Sequence, residues 1–246
     1  VTWVAIAFIG VVVGFLAGLF GKGGSAIATP LLHAVGVPAI VAVAAPLPAT
    51  IPSTLAATIP YWRAHLLDRA VITWSLAVGV PATIAGALAT RWISGDVLVE
   101  VTDGVIAVLG IRFLLFPGEG REVEERPGGF RLRLVGVAAA VGLAAGLLAN
   151  SGGFLLAPLY LVVLRLPIKQ AFASSLAVAG ALAVPGTIVH AALGHIHWSV
   201  VAVFGAASIP LSYLGARVAL RTQGTLLERI YGGCLTVLGV GFLLAR

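Results

Sequence analysis

Residues 23 to 62 read GGSAIATPLLHAVGVPAIVAVAAPLPATIPSTLAATIPYW, a stretch with no formal charge but with prolines at positions 30, 38, 46, 48, 52 and 60. Such a long uncharged run belongs in hydrocarbon rather than water. Each interior proline removes an amide donor and crowds the preceding turn, so the stretch is expected to break instead of forming one helix. Gly36-Val37-Pro38 is the natural reversal, as Leu164-Arg165-Leu166-Pro167 is later in the chain, because the residue before a proline avoids helical geometry. The arm before it, residues 24 to 35, is about 18 Å long as a helix, short of a ~30 Å hydrocarbon core. It reads as half of a broken or re-entrant helical hairpin.

The rest of the chain suits the same solvent. Of its 246 residues 60% are apolar and 10% charged, against about 25% charged in a soluble domain, and the mean hydropathy is +1.09. Charge-free runs at 2–20, 71–90, 171–197 and 198–216 reach spanning length. They are apolar all round rather than alternating, which disfavours a β-barrel. The expected fold is all-α, a polytopic transmembrane bundle. The formal charge of +6 reads as basic cytoplasmic loops rather than a nucleic-acid surface. The single Cys234 makes no internal disulfide. Residues 2–20 lack a basic n-region and read as a first span, not a leader.

An internal repeat organises the sequence. A shift of 128 matches Gly14, Ala17, Gly18, Gly24 and Pro30 with Gly142, Ala145, Gly146, Gly152 and Pro158. After one inserted residue a shift of 129 pairs Pro38 with Pro167, Thr58 with Thr187, Pro81 with Pro210, Gly86 with Gly215 and Gly110 with Gly239. The chain divides into a first transmembrane repeat at 1–116, a charged connecting loop at 117–133 and a second repeat at 134–246. Each repeat reads as a helix, a broken hairpin and two more helices: 2–20, 24–60, 71–91 and 97–116, then 134–149, 153–189, 198–220 and 227–244. A hairpin returns the chain to the side it left, so each unit crosses an odd number of times and two units in series are inverted.

Charge tests that topology. It sends Lys22, Arg63, Arg69, Arg112, Arg121, Arg126, Arg131, Arg133, Arg217, Arg221 and Arg229 toward one face, and Arg91, Arg165, Lys169 and Arg246 toward the other. The richer face is the cytoplasmic one, which places both chain ends outside.

The candidate substrate site lies where each first helix meets its hairpin, at Lys22, Gly23, Gly24 and Ser25, and at Asn150, Ser151, Gly152 and Gly153. Glycines there let backbone amides converge, and the helix that follows offers unpaired N–H groups and a positive dipole end to an anion. The alternative is that these glycines merely allow close helix packing. Lys22 either meets an anion within the membrane or extends to the interface. Ser174 and Ser175, at the start of the second hairpin's long arm, are candidate oxyanion donors, against the common habit of such hydroxyls of bonding back to their own helix. His190, His195 and His197 lack a nearby carboxylate or thiol, and no metal site, cofactor or catalytic constellation is expected. Acidic residues concentrate in the connecting loop, and only Glu100 and Asp103 intrude on a span. A cation carrier needs carboxylates deep among its helices, so a small anion is the expected cargo. A cation- or proton-coupled uptake carrier is the competing reading.

The stretch from Gly14 to Ser25, Thr29-Pro30-Leu31-Leu32, and the second-copy Gly142–Gly146, Gly152-Gly153 and Pro158 resemble the TauE/SafE family of sulfite exporters. Ala173-Ser174-Ser175-Leu176 and Gly194-His195-Ile196-His197-Trp198 are similar to that family's second repeat. The resemblance implies a secondary transporter of the bacterial cytoplasmic (inner) membrane. Its partner would be sulfite or a related small inorganic or organic sulfur oxyanion, besides the lipid bilayer. Ser25 stands where the family usually has a third glycine, and Ala45-Pro46 where the first copy would carry a serine pair.

Overall fold

The computed structural model describes residues 2–21, 25–89, 111, 128–147, 151–192 and 194–244, with the backbone alone at 25, 26, 30, 39, 235 and 238–244. Ten helices follow in order among these: α1 (Trp3–Phe20), α2 (Ser25–Ala34), α3 (Ala39–Ala44), α4 (Pro46–Arg63), α5 (Arg69–Ala89), α6 (Phe130–Leu147), α7 (Gly153–Val162), α8 (Ile168–Ala192), α9 (Trp198–Arg221) and α10 (Gly224–Leu244). The described residues contain no strand. Among the described residues, six spans are long and apolar enough to cross a membrane: Trp3–Phe20, Ile40–Arg63, Arg69–Ala89, Phe130–Leu147, Ile168–Ala192 and Trp198–Arg221. Large apolar side chains face outward along them. Phe8 is 67% exposed and Ile188 63%, a surface that lipid covers and water would not tolerate.

Each hairpin breaks where the sequence places its reversal. Gly36, at φ +86°, closes α2 with Gly36 N–H donating to the His33 carbonyl and Val37 N–H to that of Leu32. In the second copy Arg165, at φ +55°, occupies the equivalent position between α7 and α8. Other prolines do not break their helices: Pro52 and Pro60 lie inside α4, and Pro185 inside α8. Transmembrane helices tolerate such residues where neighbours satisfy the freed carbonyls. Helix α6 begins at Phe130, inside the stretch expected to be connecting loop, because Phe130 is buried in the core.

The helices sort into two bundles, each drawing on both repeats. Helix α1 packs most extensively on α9, and α5 on α6. Gly10 lies against Phe204, Gly14 against Ser208 and Gly18 against Ser212, so α1 and α9 run parallel. Gly142 lies against Gly79 and Gly146 against Thr83, so α6 and α5 do too. These contacts match under the repeat shift: Ser208 and Ser212 correspond to Gly79 and Thr83. Ser53 and Ser208 share a hydroxyl contact of 3.0 Å, and Ser212 donates to the Ser53 carbonyl at 2.7 Å, which binds α4 into the α1–α9 bundle. The Leu182 side chain packs on Gly79 and binds α8 to α5. Between the bundles, α4 crosses α8 with Leu47 near Gly186 and Thr54 near Gly180, numbers that change in opposite senses, so these two helices are antiparallel.

That arrangement gathers the charges. Lys169 Nζ donates to the Leu220 carbonyl at 2.8 Å, and Gly224 sits on Ile168, so the start of α8 lies beside the end of α9 and the start of α10. Ser174 Oγ accepts from Asp68 N–H, which adds the turn between α4 and α5. Arg165 and Lys169, expected on the poorer face, therefore lie with Arg63, Arg69, Arg217, Arg221 and Arg229. The first arm of the second hairpin carries its tip back to the end where α6 started, so its basic residues return there. Every described Lys and Arg occupies that end. The opposite end holds His33, His190, His195 and His197.

Candidate functional site

Helix α1 ends on Gly21, whose φ of +66° turns the chain while its N–H caps the Ala17 carbonyl. A Cβ there would collide with the Phe172 backbone. Only glycine lets the end of α1 sit this close to α8. Ser175, fully buried, donates its hydroxyl to the Gly21 carbonyl at 2.6 Å and shares it with the Phe172 carbonyl at 3.0 Å. The hydroxyl thus pins Gly21, the residue that precedes Lys22, to α8.

A left-handed glycine stands at the second junction too. Gly152, at φ +67°, opens α7, and its carbonyl accepts from Leu155 and Leu156 N–H at 3.0 and 3.1 Å. A Cβ on Gly152 would touch Val141, Ala145 and the Leu182 side chain. Ser151 is fully buried, and Gly153 to Pro158 at the start of α7 are buried as well. Phe172, Ser175, Ala179 and Leu182 recur at the three-and-four spacing of one helix face. Both glycine junctions rest on that stripe of α8, with Ser175 and Leu182 about 10 Å apart along the axis.

Of the site residues read from the sequence, Ser151, Gly152, Gly153, Ser174 and Ser175 are placed as above. Ser174 is buried on the turn side, where its hydroxyl receives the Asp68 amide at 3.3 Å. Lys22, Gly23, Gly24 and Asn150 lie outside the described residues, as does the side chain of Ser25. So do Glu100 and Asp103, on which the cation-coupled reading turns. Phe172, which Gly21 abuts, and the Ser75–Tyr160 hydroxyl pair at 2.6 Å belong to the same region, and sequence reasoning passed over both. For Tyr160 the signal was available, since a phenol inside an apolar helix seeks a partner. For Phe172 there was none.

The described residues hold no group of three or more His, Cys, Asp or Glu side chains suited to a metal. What the site offers is backbone: two glycine turns, the helix start that follows each, and hydroxyls on a buried stripe.

Comparison with known proteins bears on this geometry. Residues 6–242 match the family model described as sulfite exporter TauE/SafE. Two relatives from Xylella fastidiosa, strains Temecula1 and 9a5c, are each described as a "Probable membrane transporter protein". Each is 29% identical over 230 residues, which cover 91% of this chain and 88% of the relative. No solved structure matches the chain.

Proposed function

Because the chain belongs to the TauE/SafE family of sulfite exporters, we propose that it carries sulfite, or a related small sulfur oxyanion or organosulfonate, out of the bacterial cytoplasm across the inner membrane. The observation that carries this reading is that both glycine junctions rest on one stripe of α8, Gly21 at Phe172 and Ser175, Gly152 at Leu182. Gly21, which precedes Lys22, and Gly152 thus adjoin the same buried helix face. An anion held there exchanges its water for backbone N–H groups at helix starts, which carry about half a positive charge each. Lys22, Gly23, Gly24 and Ser25, with Asn150, Ser151, Gly152 and Gly153, form the cradle, and Ser174 and Ser175 support it from α8.

The two repeats are inverted copies. The parallel pairing of α1 with α9 and of α6 with α5, set against the antiparallel crossing of α4 and α8, supports that relation. The bodies that rock past each other are the two mixed bundles rather than the two halves of the sequence, since α9 is locked to α1 and α5 to α6. The arginine-rich end faces the cytoplasm, by the bias of basic residues to that side.

Efflux of radiolabelled sulfite from proteoliposomes tests the reading. Lys22→Ala and Asn150→Ala are expected to slow it about tenfold each, the effect of losing about 1.4 kcal/mol of binding. Wild-type rate and affinity in both variants overturn the site, and absence of sulfite flux in the wild type overturns the substrate.

A further inference from the structure

The turn joining α8 to α9 carries a pair of imidazoles where the first repeat has an apolar pair. Both turns close alike. In the first, His65 N–H donates to the Trp62 carbonyl and Leu66 N–H to that of Tyr61. In the second, Gly194 N–H donates to the Ala191 carbonyl and His195 N–H to that of His190. Residues 65 and 194, at φ +56° and +71°, are equivalent under the repeat shift. Such a turn normally brings its two outer residues into hydrophobic contact. In the first repeat these are Tyr61, within a buried core cluster, and Leu66, packed against it. In the second they are His190 and His195, whose Nδ1 atoms lie 3.2 Å apart with ring centroids at 5.4 Å.

A hydrogen bond between two imidazole nitrogens requires one ring to carry the proton and the other to lack it. We propose that His190 and His195 form an acid-released clasp on the hinge between the two bundles. When neutral, the pair shares one proton and fixes the turn between α8, which holds both glycine junctions, and α9, which is locked to α1. In acid both rings become cations, neither accepts, and like charges at this distance repel. The turn then opens and the bundles re-orient more freely. Among the described residues, the facing stretches of α4 (46–53), α5 (83–89) and α9 (198–204) hold no acidic or basic side chain. The other titratable group on the turn is His197, whose Nδ1 meets Ser199 Oγ at 2.8 Å. No described carboxylate is therefore placed to hold the two rings together once both are charged. The orientation proposed above makes the protons extracytoplasmic; the clasp itself does not depend on it.

Hydrogen exchange on the full chain in detergent with EDTA, at pH 7.5 and pH 5.0, tests this. Peptides covering 186–197 are compared with those covering the equivalent 57–68, a built-in reference that shares the backbone bonds but lacks the pair. Exchange of the second turn relative to the first, corrected for intrinsic rates, is expected to rise at least tenfold in acid. Substituting His190→Tyr with His195→Leu, which copies the first repeat, should abolish the rise. An unchanged ratio in the wild type overturns the clasp, and so does a rise that persists in the double variant, which would assign it to His197. Should that variant fail to fold, His195→Gln, which does not titrate, gives the same reading. No substrate enters the measurement, so absence of sulfite transport leaves it intact.

Discussion

Gly18 of α1 and Ser212 of α9 meet backbone to backbone: a Cβ at position 18 would lie on the Ser212 carbonyl oxygen, with the Ala216 amide nitrogen behind it at 2.9 Å. The equivalent pair, Gly146 and Thr83, meets in the same way. In lipid, helix association draws on close packing rather than on exclusion of water, so small residues at the seam matter more than apolar bulk. Gly18→Ala and Gly146→Ala must each push two helices apart. The expected loss is about 1–3 kcal/mol, the usual penalty for overpacking, read as a lower melting temperature in detergent. Because the seams are equivalent, the two losses should be similar; a neutral result at either position would refute the contact.

Conformational need can be separated from crowding at two other glycines. A Cβ on Gly36 or on Gly136 would meet nothing within 4 Å, but Gly36 sits at φ +86° while Gly136 lies inside α6. Gly36→Ala is expected to destabilise by about 1–2 kcal/mol, the penalty of a left-handed L-residue. Gly136→Ala should be stabilising by roughly 0.5–1 kcal/mol through helix propensity. Thermal unfolding of the two variants side by side checks the opposite signs.

These glycines also mark what was legible in the chain. The repeat, the hairpin reversals and the glycine junctions could be read because Gly and Pro carry backbone geometry in their identity. A left-handed residue without that signature could not: His65 turns the chain as Gly194 does, and only the repeat shift would have revealed it. Partner choice was hidden as well. Nothing in the spacing of Gly14 and Gly18 says that they face Ser208 and Ser212 of the other repeat, since any small-residue seam would suit them. The placing of Arg165 and Lys169 failed because charge alone does not say how far a hairpin tip reaches.

Lys169 closes the end of α9. Its ammonium donates to the Leu220 carbonyl, one of the terminal acceptors left without an intrahelical partner. Lys169→Met keeps the aliphatic stem and removes the donor. Loss of a charged hydrogen bond is worth about 1.5–3 kcal/mol when buried, and this group is half-buried, so the lower end is expected. Exchange protection should fall in peptides spanning the end of α9 and leave its first turns unchanged.

Asp68 does the converse at the start of α5, where its Oδ1 accepts from Ala70 N–H at 3.0 Å and Val71 N–H at 3.1 Å. Asp68→Ala should destabilise by about 1 kcal/mol, the ordinary worth of such a cap, and Asp68→Asn should recover most of it. Unfolding midpoints in a denaturant series discriminate the two, and equal losses would show that charge rather than hydrogen bonding is what α5 requires.

Ser175 joins fold to transport. Its hydroxyl holds the Gly21 carbonyl, next to Lys22 in the chain, so Ser175→Ala leaves that carbonyl buried without this donor and loosens the end of α1. A neutral hydrogen bond of this kind contributes about 1 kcal/mol, which corresponds to roughly fivefold in an equilibrium. Sulfite efflux should slow by about that factor while the protein remains folded. Thr222→Val removes an exposed hydroxyl that bonds only back to Val218 at 2.8 Å and serves as the control, with flux expected at the wild-type rate. If Ser175→Ala exports as fast as that control, the stripe on α8 secures the helices without setting the geometry of the proposed anion cradle.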